Sequence, residues 1–244
     1  MEQAKRIADG VWGVETVVGV GLGVHLPLRM TVLRVDGGLW LVSPIAIDDA
    51  LADELSALGE VHALVAPNLL HHAHVEAAKR RYPEARLLGA PGLAAKRPAL
   101  PWDGAVDTGS LAGDLQGRRI EGADKLSEVV LWHVPSATLV VTDAVFNIPE
   151  ARGMSWLVLE YLSKALGHVE QSRLLRRLTG DRAATAKSVA AIMEWPMQRV
   201  VMAHGDVVTE QAAAELSAGL WWWQGIERRP PVGATGSADQ MVRA

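Results

Sequence analysis

The period of apolar and polar positions changes repeatedly along this chain. Residues 30–44, MTVLRVDGGLWLVSP, are two short β-rich runs around Asp36-Gly37-Gly38, and an Asp-Gly step between such runs predicts a hairpin. From Asp48 the period becomes helical, with Leu51, Leu55 and Leu58 on one face and Gly59 as the stop. VHALVAP (61–67) reads as a buried strand. Asn68 is a good N-cap, so a helix is expected from about Leu69 to Arg81, ended by Pro83. ARLLGAPG (85–92) is another strand, running into a Pro-Gly loop, and residues 100–127 are polar, Gly-rich and without clear period. SEVVLWHV (127–134) and ATLVVTDAVF (137–146) are strong strands joined through Pro135-Ser136. Residues 153–194 read as two or three helices, 198–208 as a strand ending at His204-Gly205, and 209–223 as a helix carrying Trp221, Trp222 and Trp223. Hairpins mixed with strand–helix–strand units predict an α/β sandwich with mixed sheets. Residues 1–228 are expected to form one domain and 229–244 a flexible tail.

Composition narrows the chemistry. The 244 residues are 49% hydrophobic and 21% charged, as in ordinary globular proteins. There is no cysteine, which excludes disulfides, thiolate metal sites, iron–sulfur clusters and a Cys nucleophile. Any metal must be held by His, Asp, Glu or Asn, which favours zinc, iron or manganese. The formal net charge of −4 gives no field for nucleic acid, and no apolar stretch reaches the ~18 residues of a membrane span. A soluble, cytoplasmic protein is expected. The Gly-rich stretch at 18–24 lacks the third Gly and downstream acid of a dinucleotide fingerprint.

The candidate chemistry sits at strand ends. His71 and His72 fall where a strand stops, in the first turn of the expected helix, where the positive end of the dipole disfavours imidazolium and so suits a metal-binding neutral ring. Either residue could equally hydrogen-bond locally. Asp143 ends a strong apolar strand and His204 ends another. Together these four offer nitrogen and oxygen ligands sufficient for one metal. Asn68 is a cap or a group facing a pocket, and His133 a turn-bracing residue or a ligand-binding one. Arg29 could fork onto an anion or form a surface ion pair.

The order of these features resembles the metallo-β-lactamase superfamily, over about residues 29–208. The blocks Ser43-Pro44, APNLLHH, PGLAAK, HVPSAT, VTD and AHGD are similar to those of an uncharacterised branch of that fold. The resemblance implies an αββα sandwich with two mixed β-sheets. It also sets Pro67 and Leu69 where the superfamily's first two histidines stand, so one metal site looks dismantled. The second would keep His71, His72, Asp143 and His204, with Asp143 and His72 in catalytic roles; a rival register uses His72, His74 and Glu76. The implied cofactor is one zinc or iron ion, or none. The implied function is a mononuclear hydrolase using metal-activated water on an ester, thioester or phosphoester, or an iron-dependent redox or isomerase activity. The alternative is an inactive descendant that binds a small ligand or a protein in the old pocket. The insertion at 153–194, with Arg173, Arg176, Arg177 and Arg182 beside Leu174, Leu175 and Leu178, is expected to cover the pocket mouth or to form a homodimer face.

Overall fold

The computed structural model describes residues 3–21, 23–150, 155 and 166–228. Seven strands, β1 (Ala4–Ala8), β2 (Val11–Gly21), β3 (Val24–Val35), β4 (Gly38–Val42), β5 (Val61–Ala66), β6 (Arg86–Gly89) and β7 (Gly104–Ala105), form one sheet in sequence order. Pairing is antiparallel through β4 and parallel from β4 to β7. The second sheet runs β12 (Arg199–Met202), β11 (Thr138–Val141), β10 (Val129–His133), β9 (Leu115–Arg119), β8 (Gly109–Ala112). Only β11 and β12 are parallel in it. Both sheets are therefore mixed, as expected.

Local chemistry sets the elements. Asp36 and Gly37 take the positive φ values, 49° and 81°, that a type I′ turn needs at both central positions, and Val35 pairs with Gly38 across it. Helix α1 (Asp49–Leu58) is capped by Asp48, whose Oδ1 accepts from Leu51 N at 2.8 Å. Helix α2 spans Val75–Arg81. It starts six residues later than the Asn68 cap suggested, and residues 67–74 are an irregular loop. Short α3 (Leu93–Lys96) follows β6. Within the expected helical insertion, α4 (Arg173–Arg176) and α5 (Arg182–Met193) are present; residues 151–154 and 156–165 lie outside the described ones, as does the 229–244 tail. The expected 209–223 helix is two pieces, α6 (Ala212–Gly219) and α7 (Trp221–Gln224), broken at Leu220.

Alternation assigns the layers. Val129 and Leu131 of β10, Val140 of β11 and Val201 of β12 join a core with Val32, Leu41 and Leu64 of the first sheet. Their neighbours Val130, Trp132, Leu139, Val141, Val200 and Met202 face the other way, onto Val189, Ile192, Leu216 and Trp223 of the C-terminal helices. Burying both faces explains why these strands read as continuous apolar runs. Leu51 and Leu55 of α1 and Val75 and Ala78 of α2 join the first core. The result is the αββα sandwich. Arg29 ties its sheets together, donating from Nη1 to the Met202 carbonyl at 2.7 Å while Nη2 meets Glu15. Arg29 does meet a carboxylate, that of half-exposed Glu15, but through one nitrogen from a buried position rather than as a fork or a pair at the surface. No helix among the described residues is long and apolar enough to cross a membrane.

Candidate metal centre

The two parallel pairings decide where the polar residues meet. β4 and β5 run parallel, as do β11 and β12, so each pair delivers its C-terminal ends to one edge. Ser43 follows β4, the 67–74 loop follows β5, Thr142 and Asp143 follow β11, and His204 follows β12. Val141 pairs with Met202, so Asp143 and His204 leave the sheet side by side.

The structure brings His71, Asp143 and His204 together, with one donor atom of each within 4.8 Å of the others. The two Nε2 atoms stand 3.3 Å apart, His71 Nε2 is 3.2 Å from Asp143 Oδ2, and His204 Nε2 is 3.4 Å from Asp143 Oδ1. Ligands at ~2.0–2.1 Å from a tetrahedral ion are about 3.3–3.4 Å from each other, so the Nε2–Nε2 spacing suits a shared ion, and each imidazole has a different oxygen of the carboxylate at similar range. The proton inventory also fits. His204 Nδ1 lies 2.7 Å from the Pro27 carbonyl, which can only accept, so Nδ1 carries a hydrogen and Nε2 is the nitrogen turned to the cluster. Ser43 Oγ anchors Nδ1 of His71 at 2.6 Å, again leaving Nε2 facing inward.

The buried carboxylate pairs with positive charge at this point. Burial opposes ionisation of Asp143, but the His71 charge and hydrogen bonds from His204 and His71 hold its carboxyl far below the usual range. Burial likewise opposes charge on His71, and Asp143 overcomes it and raises the pKa. A proton shared near His71 is thus the minimum positive charge that the buried carboxylate demands, and an ion binding there would displace it.

Further groups fix the ligands. Asn68 is fully buried; its Nδ2 donates to Asp143 Oδ2 at 2.8 Å and to Thr142 Oγ1 at 2.9 Å. Its Oδ1 accepts from Leu70 N and His71 N, both at 2.8 Å. That leaves it no capacity for a ligand; it positions Asp143 instead. Glu128, also fully buried, accepts from Thr142 N at 2.7 Å and Asp143 N at 2.9 Å and so holds the turn that carries the aspartate. Its burial and the nearby Asp143 charge raise its pKa.

Two expected residues do not join. His72 Nδ1 accepts from Arg97 Nη1 at 3.1 Å on the far side of the loop, while Lys96 donates to the Leu69 carbonyl at 2.6 Å. Burial, with Lys96 and Arg97 close by, lowers the His72 pKa. The irregular 67–74 loop, in place of a helix, separates His72 from its neighbour. The rival register fails for the same reason, since Glu76 pairs with Arg80 and Arg97. His133 closes the opposite end of β10, where Nδ1 meets Ser136 Oγ at 2.7 Å and Nε2 the Arg34 carbonyl at 3.0 Å. It pairs with Thr138, the start of the strand that ends next to Asp143, so it lies a strand's length from the cluster. Glu128, Ser43 and Pro27 carried no site signal in the sequence beyond Ser43-Pro44 and the acid before an apolar strand.

The model of the family described as Domain of unknown function (DUF4336) matches residues 8–93. No curated protein matches. Solved structures match over nearly the whole chain. A metallo-beta-lactamase from Pontibacter korlensis is 15% identical with TM-score 0.63, covering 92% of this chain and 99% of that one. One from Hirschia baltica is 13% identical with TM-score 0.59, covering 95% and 99%. FIM-1 from Pseudomonas aeruginosa, solved in a mono-zinc form, is 15% identical with TM-score 0.59, covering 90% and 94%. The chain has the metallo-β-lactamase fold.

Proposed function

We propose that His71, Asp143 and His204 hold a single zinc or iron ion and that the protein is a mononuclear metal-dependent hydrolase of an ester-, thioester- or phosphoester-like bond. The observation that carries this reading is the convergence of three side chains, each anchored from behind: the His71 and His204 Nε2 atoms stand 3.3 Å apart and lie 3.2 and 3.4 Å from the two oxygens of the one Asp143 carboxylate. Three protein ligands are also the number that catalytic sites use, leaving a position for the reaction. An ion held there would supply Lewis acidity, making water a nucleophile near neutral pH and polarising a substrate oxygen.

The chain's own groups do the rest. Pro27 and Ser43 hold the imidazoles in register, Asn68 holds the carboxylate, and Glu128 holds the backbone turn that carries it. Asp143 Oδ2 accepts from Asn68 and lies 3.2 Å from His71 Nε2, so Oδ1 is the less engaged oxygen and the one that would hold the ion. Phe146 packs its ring against that of His204, with centroids 4.6 Å apart, and lends the cluster an apolar neighbour.

The test is turnover of an ester, thioester and phosphodiester panel by metal-stripped protein, and by protein reloaded with zinc or ferrous iron. The reading expects hydrolysis of at least one class that appears on reloading and is lost in Asp143→Asn. Reloaded protein that binds metal but cleaves none of the three would sink the hydrolase and favour the ligand-binding descendant.

A further inference from the structure

The cluster forms part of the wall of a groove of about 650 Å³. That volume lies within the range of small-molecule sites. The remaining walls come from three places. The β2–β3 hairpin contributes Val18, Val24, Leu26 and Leu28. Val18 and Leu26 are cross-strand partners, and 24, 26 and 28 alternate, so one face of the hairpin is an aliphatic surface. Helix α4 contributes Leu174 and Leu175, and the 67–74 loop contributes Leu70. Leu70 and Leu174 are 47% and 43% exposed, two of the five large apolar side chains that stand open to solvent among the described residues. An isolated exposed leucine means little, but two facing one groove beside a reactive cluster form a continuous apolar path. Among the described lining residues Phe146 is the one phenyl ring, beside the imidazoles of His71, His74 and His204, and there is no Lys or Arg.

We infer that the groove takes a neutral aliphatic chain, continuous with the acyl carbonyl that is presented to His71, Asp143 and His204. The substrate class is then an ester or thioester of a medium or long fatty acid. Away from the cluster, the described walls offer an anionic group no Lys or Arg, whereas a methylene chain meets branched aliphatic side chains along its length. This rests on the hydrolase reading for the identity of the bond but not for occupancy of the groove.

The test separates the two. Binding of straight-chain alcohols from butanol to decanol to the full-length protein is measured by displacement of a hydrophobic fluorescent dye, with no turnover involved. Affinity should rise about threefold to fourfold for each added methylene until the groove is full, as follows from ~0.8 kcal/mol per buried CH₂. Leu174→Arg, a change at a half-exposed position, should flatten that rise while leaving the circular dichroism spectrum unchanged. In reloaded protein, the specificity constant for para-nitrophenyl acyl esters should climb with acyl length along the same slope. Affinity independent of chain length, or a slope that survives both Leu174→Arg and Leu70→Glu, would overturn the assignment. Chain-length-dependent binding without hydrolysis would uphold the groove and defeat only the hydrolase.

Discussion

Two buried histidine sites sit at opposite ends of the same sheet, and they differ in one respect. At the β10–β11 turn, His133 has a protein partner on each ring nitrogen, Ser136 Oγ and the Arg34 carbonyl. At the other edge, His71 and His204 each have one nitrogen anchored, by Ser43 and by Pro27, while the other faces a buried carboxylate and its counterpart. A histidine satisfied on both sides is structural cement. In the pair, the second nitrogens of both rings converge on one ionised Asp instead of on separate neutral partners, which is an arrangement that an ion can enter. Burial does not distinguish the two sites; the disposition of the second nitrogen does.

The comparison can be broken most forcefully at the aspartate. Asp143→Asn removes the charge that organises the cluster, and zinc affinity should fall by more than about 100-fold, since even outer-shell losses cost 10–100-fold. Competition with a chromophoric chelator measures this, and affinity within a few-fold of the parent would place the metal elsewhere. Asn68→Ala should cost about 10–100-fold by freeing the Asp143 carboxylate, with little effect on the fold's spectroscopic signature. At the other end the consequence changes kind. His133→Ala should leave zinc affinity unchanged but destabilise the protein by about 2–4 kcal/mol in urea unfolding, from the cavity and the stranded carbonyl. The smallest effect is on pH. Burial lowers the His133 pKa below the usual 6.5, so the unfolded chain binds the proton more readily. Its contribution is therefore intact above about pH 6.5 and lost as the pH falls through the window beneath it. Stability of His133→Gln should fall less steeply than the parent's between pH 6.5 and 5; parallel curves would show that His133 does not titrate differently on folding.

Most of the scaffold was legible because its signals are local. The Asp36-Gly37 turn, the Asp48 cap and the doubly buried strands each announce themselves within a few residues. Asp143 and His204 were legible as strand-end polar residues, and the parallel pairings carry them to one edge. The choice between His71 and His72 was not legible. Asn68 makes the bonds of an N-cap, to the N–H groups two and three residues on, and the same bonds also close an isolated turn. The cap formed and the helix did not follow until Val75, so adjacent histidines face different ways. For Asn68 and His133 the choice between a local role and a ligand-binding one could not be read, because their further partners, Asp143 and the Arg34 carbonyl, lie 75 and 99 residues away. Glu128 and Pro27 escaped for the same reason: an acid before an apolar strand and a backbone carbonyl carry no mark of what they will hold.

The most direct test of the central claim is the metal content of protein purified without a histidine tag and offered zinc or ferrous iron. One equivalent is expected in the parent chain and in His72→Ala, and none in His204→Ala. No metal in the parent, or uptake that depends on His72 and survives His204→Ala, would contradict the assignment of His71, Asp143 and His204 as the metal centre.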